Sequence, residues 1–384
     1  SYDQPLALEY SPQAGQGRAS RQALEAPRPA TPARRGPSLV PARRRTALHW
    51  ARKTFSLAKA SEGFSRISGI TGSGKSHLTK LFLMDVLEEL ESNDQAKLIL
   101  YEPKREFYDW LCSLGLSVPI NYFMPSDTRS VALDFTADYR DDKDAETLAF
   151  AFYPERPSQA ESPFWGESLR TIFASVYTAI RRRFEDAGLR ETVDLRLMCL
   201  VLENAELTRK VLTFDPYQVQ AAELMKKGVS ETAENIQKSI QSRIGHMKVL
   251  AAHMDCAAQE RPLFSLRRFI KEKRSGIFVI SKDEDYGQWQ APMNGVLFLR
   301  FTQLLDKEQQ KEGRRIFVVI DEFPSLCDEN RCPGVKTMFL RLRSRGAVPL
   351  ITDHGLTSLL PIYDRDTTAI LGQCTNVIYL RQPD

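Results

Sequence analysis

Residues 63–90 read GFSRISGITGSGKSHLTKLFLMDVLEEL, and the eight from Gly69 to Ser76 satisfy the pattern G-x-x-x-x-G-K-[ST]. Few segments constrain a chain so tightly. Glycines at 69, 72 and 74 admit backbone conformations that a side chain forbids, so successive N–H groups turn inward on an anion. The loop must also open a helix, because the free N–H groups of a first turn favour the same anion. Residues 77–90 meet that demand, with Leu78, Leu81, Met84, Leu87 and Leu90 at helical intervals. Residues 64–68 fit a short strand before the loop, weakened by Ser65 and Arg66. A glycine-rich turn that merely precedes a helix is the alternative, and this strand–loop–helix context argues against it. The expected phosphate cradle is Gly69, Thr71, Gly72, Ser73, Gly74, Lys75, Ser76 and His77. In it Lys75 neutralises the β- and γ-phosphates of ATP, and the Ser76 hydroxyl takes a place on Mg²⁺.

A nucleotide site of this kind needs acids on a neighbouring strand, and one segment supplies them. Residues 315–322 read RIFVVIDE, an apolar run ending in two carboxylates, as a central parallel strand delivers them beside a phosphate loop. Asp321 is the expected holder of the Mg²⁺ shell, and Glu322 the residue that orients and polarises the attacking water. Pro324 is expected to force Phe323 out of helical geometry and so end the strand. Residues 97–101 form another buried-strand pattern, running into Glu102-Pro103-Lys104-Arg105, charges that a parallel sheet would place beside the loop. Further strands are expected at 276–280, 348–352 and 376–380, with a helix at 296–309.

Between about 136 and 263 strand signals nearly vanish. Leu169, Ile172, Phe173, Val176 and Ile180 form one helical stripe, and Ile236, Ile240, Ile244 and Met247 another. The expected division is therefore a nucleotide-binding domain from 54–135 and 264–384, interrupted by an all-helical insertion at 136–263. Residues 1–53 form a Pro- and Arg-rich arm, expected to be disordered for want of apolar surface to bury. Charge supports the separation. The first 50 residues carry eight Arg against three acids, whereas the remainder balances 45 basic with 46 acidic side chains. The six cysteines show no C-x-x-C spacing, which argues against zinc or a disulfide framework. No run approaches the ~18 apolar residues of a membrane span, and no apolar stretch marks a signal peptide. The chain begins with Ser and stops soon after its last strand, so a missing upstream portion and a truncated end are both expected.

With these residues placed, the chain resembles the coupling proteins of type IV secretion systems, the conjugative DNA-transfer ATPases of the TraD/TraG class. GITGSGKS is one part of the likeness. YEPKREFYDWL is another, with Glu102 where the family usually has Asp and Arg105 where it has Gly. PSDTRSVALDF, with the helical segment opening at Phe164-Trp165, is a third; VVIDEFPSL followed by LRLRSRG is the fourth. The resemblance covers about residues 54–384. It implies an α/β fold: a RecA-like P-loop NTPase with a central, mainly parallel sheet and an all-helical inserted domain. It further implies a homo-hexameric motor that hydrolyses ATP and pumps DNA, with a relaxase–DNA complex and a secretion channel as partners. The implied location is the cytoplasmic face of a bacterial inner membrane, contacted through missing or separate segments. Arg343, in LRLRSRG, takes the place of the family's arginine, a finger acting on a neighbouring subunit. If that segment is helical, Arg341 and Arg345 share a face and Arg343 points away. His354 lies where the family usually carries Gln, and is the candidate γ-phosphate sensor. Two other functions fit the residues: an FtsK/HerA-like DNA translocase without a secretion role, and a nucleotide-binding scaffold that does not hydrolyse.

Overall fold

The computed structural model describes residues 48–50, 53–55, 64–153, 163–189, 192–225, 231–283, 286–309, 313–328 and 330–381. All lie in one unit, Ala42–Asp384. The arm expected at 1–53 falls outside the described residues except at its end. There β1 (Leu48–Trp50) pairs antiparallel with β2 (Lys53–Phe55), a departure from the expected disorder. Aromatic and β-branched residues such as Trp50, Thr54 and Phe55 favour strand geometry.

Alternating apolar residues build the centre. Strands β3 (Ser65–Ser68), β4 (Ala96–Glu102), β5 (Ile120–Phe123), β6 (Gly276–Ser281), β7 (Arg315–Ile320), β8 (Ala347–Asp353) and β9 (Asn376–Tyr379) form one sheet. Its order is β5-β6-β4-β7-β8-β3-β9, and every pairing is parallel. Side chains along a strand alternate between faces. Ile316, Val318 and Ile320 therefore join one core layer with Ile99 and Tyr101, while Phe317 and Val319 join the opposite layer with Leu98 and Leu100. Both faces are covered, which is what a parallel sheet requires.

The helix α1 (Lys75–Ser92) covers the second layer with Leu78, Phe82, Leu83, Val86, Leu87 and Leu90. The expected stripe is corrected here: Leu81 is 39% exposed and Met84 only half-buried. Steps of three residues each fall about 60° short of a full turn, so such a stripe rotates off the face. The buried set alternates steps of three and four. Phe323–Ser325 forms a 3₁₀ turn, so Pro324 does not exclude Phe323 from helical geometry. The helix expected at 296–309 is Gly287–Asp306 and contains Pro292. Tertiary hydrogen bonds hold its early turns despite that proline: the Gln290 amide donates to Ser281 O, and Asn294 Nδ2 donates to Leu326 O at 2.8 Å.

Opposite α1, the described elements between β5 and β6 are all helices, from Phe135–Asp138 to Leu266–Lys271. The stripe residues named above for 169–180 and 236–247 are buried in this layer. The path leaves and returns at one point. Leu133 bridges Phe264, with Phe264 N donating to Ala132 O and Asp134 N to Phe264 O, both at 2.8 Å. Arg300 then fastens helix Asp142–Phe152 to helix Gly287–Asp306, which follows β6. Its guanidinium, 1% exposed, is bidentate to Asp144 with both distances 2.6 Å. Burial works against the Asp144 carboxylate, yet Arg300 holds it below its usual range.

Candidate active site

The phosphate loop leaves the carboxyl end of β3. Gly72 and Gly74 have φ of 74° and 97°, the left-handed region that favours glycine. Gly69 is required for a different reason: a Cβ there would lie 2.7 Å from Ser73 Oγ and 2.9 Å from Leu380 Cβ. Among the described residues, no backbone hydrogen bond engages the N–H groups of Thr71, Gly72, Gly74, Lys75 or Ser76. The buried Ser73 hydroxyl also lacks a partner there. Unused donors around a helix start are the requirement for holding a polyphosphate. The loop therefore fits the nucleotide. Thr71 and His77 stand at its exposed rim, and Ser76 is half-buried beneath it.

Sheet order brings the acids to the loop. One strand, β8, separates β3 from β7, and its carboxyl end touches both neighbours. On one side the Thr352 hydroxyl donates to Asp321 Oδ1 at 2.7 Å and accepts from Glu322 N at 2.8 Å. On the other, Asp353 accepts from Arg66 Nε at 2.6 Å and Nη2 at 2.9 Å, and from Ser68 Oγ at 2.8 Å. Arg66, the residue that weakened the strand pattern, is thus a buried tie between the phosphate-loop strand and its neighbour. Burial raises the Asp321 carboxyl above its ordinary range, opposed by the Thr352 bond.

Lys75 Nζ donates to Gly69 O at 2.6 Å and Ile70 O at 3.2 Å, and lies 3.2 Å from His354 Nδ1. An ammonium only donates, so Nδ1 accepts and the ring proton sits on Nε2. That nitrogen is 3.8 Å from Glu322 Oε1, and the same oxygen is 2.5 Å from Lys104 Nζ. Burial lowers Lys75 from the ordinary lysine range, while Glu322 and Asp321 pull the other way. Glu322 has φ 49° and ψ 59°, an uncommon conformation for a residue with a side chain. Lys75, Asp321, Glu322 and His354 thus converge at the carboxyl edge of the sheet. Lys104 joins them, a contact that the charges after β4 anticipated without singling it out.

Arg343 does not join them. It precedes β8, at the opposite edge of the sheet, and the seven residues of β8 span ~20 Å. The α-helix ends at Arg341 and Leu342–Arg345 is 3₁₀, so the expected pairing of Arg341 with Arg345 on an α-helical face does not hold. Gly346 has a structural reason: φ is 92°, and a Cβ would meet Arg314 O at 2.6 Å.

The two departures in YEPKREF also have local explanations. Glu102 is fully buried and accepts from Phe107 N at 2.5 Å, Tyr108 N at 3.0 Å and Ser281 Oγ at 2.9 Å. It thereby serves the first turn of helix Glu106–Ser113 from a distance. Burial pushes its carboxyl up to about 7 against those hydrogen bonds. Arg105 adopts φ 57°, so the position is one that glycine suits.

Comparison with known proteins agrees with this arrangement. Among the curated proteins searched, none matches the sequence. Among solved structures, the unbound bacterial conjugative coupling protein TrwBdeltaN70 superposes with a TM-score of 0.66 at 17% identity, over 86% of this chain and 72% of that one. The plasmid coupling protein TrwB in complex with ADP and Mg²⁺ also gives 0.66 at 17% identity, over 88% and 74%. TrwB with the ATP analogue ADPNP gives 0.64 at 18%, over 83% and 70%. Likeness at such identity establishes the fold, a RecA-like α/β domain with a helical insertion. A family model described as the type IV secretion-system coupling protein DNA-binding domain matches residues 55–384, and the chain belongs to that family.

Proposed function

We propose that the protein is an ATP-hydrolysing motor that moves DNA toward a conjugative secretion channel. The observation that carries this reading is the convergence on one sheet edge of a loop with unused N–H donors, Lys75, and the Asp321–Glu322 pair. The solved TrwB complexes named above hold ADP with Mg²⁺ and an ATP analogue, which supports the same ligands here. Bound Mg²⁺ would supply charge neutralisation on the phosphates. The loop N–H groups and Lys75 bind and orient the polyphosphate, Ser76 and Asp321 hold the metal, and Thr352 fixes the Asp321 carboxylate through its hydroxyl. Glu322 orients and polarises water, and His354, beside Lys75, senses the γ-phosphate.

The motor domain in this reading is 54–135 with 264–384, and 136–263 is the helical insertion. Arg343, remote from its own phosphate loop, serves the site of a neighbour in a homo-hexamer. A relaxase–DNA complex and the channel are its partners, and the cytoplasmic face of the inner membrane is where it works. The test is ATP turnover with Mg²⁺, with and without single- and double-stranded DNA, across salt concentrations. Turnover that rises with DNA and loses that rise as salt increases is expected. Nucleotide binding without turnover under every condition would favour the scaffold reading.

A further inference from the structure

We propose that Lys104 is a latch on Glu322: its ammonium holds the carboxylate in an ion pair, and a phosphate that takes the ammonium frees the carboxylate to act on water. This rests on the reading of the site as an ATPase. Geometry comes first. Glu322 Oε1 is 2.5 Å from Lys104 Nζ, while His354 Nε2 at 3.8 Å is beyond hydrogen-bond reach, so the ammonium is the group that engages this oxygen of the base. A carboxylate that orients water needs a free oxygen facing it. Lys104 is therefore a positioning residue acting through Glu322.

The backbone at this contact is uncommon as well. Glu322 has φ 49°, and Arg105, next to Lys104, has φ 57°. The carboxylate end of the ion pair and the residue after its cation thus sit on uncommon backbone of the kind found at switch regions. Access distinguishes the two partners. The Lys104 side chain is 44% exposed and Glu322 19%, so the cation is the partner that an incoming anion meets. Arg105 is exposed beside it, giving the loop two adjacent cations. Asp321 and Glu106 also act on Lys104, and Glu322 holds its ammonium above the usual range, so the latch stays charged.

The releasing phosphate belongs either to the nucleotide or to a nucleic-acid backbone, and kinetics separates the two. Steady-state ATP hydrolysis is measured for the wild type, Lys104→Met and Lys104→Arg, each with and without a DNA oligonucleotide. Nucleotide affinity of the same preparations checks that the site is folded. If DNA releases the latch, Lys104→Met raises DNA-free kcat by about fivefold, the size of a partly exposed ion pair. Stimulation by DNA then falls by the same factor. If the nucleotide releases it, Lys104→Met raises KM, because the phosphate loses the cation it takes, and leaves the ratio of stimulated to basal turnover unchanged. In either arm Lys104→Arg restores the wild-type values, which a merely structural role does not predict. A Lys104→Met enzyme that binds nucleotide but turns over more slowly, or is unchanged in both kcat and KM, overturns the latch. Absence of turnover in the wild type itself removes the ATPase reading, and the latch with it.

Discussion

Single residues at this site have separable jobs. Lys75→Ala removes the cation proposed to meet the phosphates and should weaken nucleotide binding as well as turnover. Glu322→Gln leaves the loop donors intact, so nucleotide should bind with near wild-type affinity while hydrolysis falls by at least ~10². Equilibrium binding and single-turnover assays distinguish the two, and wild-type turnover in Glu322→Gln removes that assignment. Glu102 makes a prediction in stability. Its folded carboxyl titrates near 7, above the ordinary 4.5, so the native state binds more protons than the unfolded chain between those values. Stability should therefore decline as pH rises from about 4.5 to 7, by an amount on the order of 3 kcal/mol, then level off. Urea midpoints across this range should show the decline in the wild type and lack it in Glu102→Gln. At Arg105 the left-handed backbone makes Arg105→Gly a stabilising change of roughly 1 kcal/mol, readable in the same unfolding curves.

Among the elements, two helices on one face of the sheet are joined by a buried ion pair. Arg300 joins helix Gly287–Asp306 to Asp144 in helix Asp142–Phe152 and also donates to Asp138 O. Its guanidinium packs 4.6 Å from the centre of the Tyr139 ring. Removing one partner leaves the other charged and buried, so Asp144→Asn should cost about 3–5 kcal/mol in a denaturant titration. Because Asp144 is held below its ordinary range when folded, its contribution is present above that range and lost as pH falls through the folded value. Destabilisation by Asp144→Asn should accordingly shrink in strong acid. A loss equal at every pH would mean that shape, not charge, makes this contact.

At the scale of the whole molecule, the placement of Arg343 is informative. The described chain sets it on the far edge of the sheet from Lys75 and Glu322, so any action on a nucleotide is on that of another subunit. Arg343→Ala should lose turnover by ~10³ while ATP still binds. Mixing it with Glu322→Gln should restore part of the activity, because mixed rings of the proposed hexamer would contain interfaces with both groups intact. Mixed rings that form and stay inactive would show that Arg343 is not the finger. Residues 1–46 belong to the same scale. Their deletion should reduce DNA affinity and the salt slope without abolishing stimulation, measured by filter binding and ATP turnover, since a pulling grip must move with the nucleotide state.

The phosphate loop, the acid-ended strand and the parallel sheet were legible in the sequence because each rests on local periodicity or on glycines that no other residue replaces. GITGSGKS could be read by itself, and RIFVVIDE once Lys75 stood upstream of it. Helix faces were legible only roughly, as Leu81 shows, because burial depends on which side meets the sheet. The interactions around those motifs were decided by tertiary structure alone. Strand order placed β8 between β3 and β7, and only then did Thr352 reach Asp321, Asp353 reach Arg66, and His354 reach Lys75. Lys104 and Glu322 are 218 positions apart, and no spacing rule connects them. Local sequence determines which conformations a segment can adopt, whereas a contact between distant segments exists only once the core has fixed their separation.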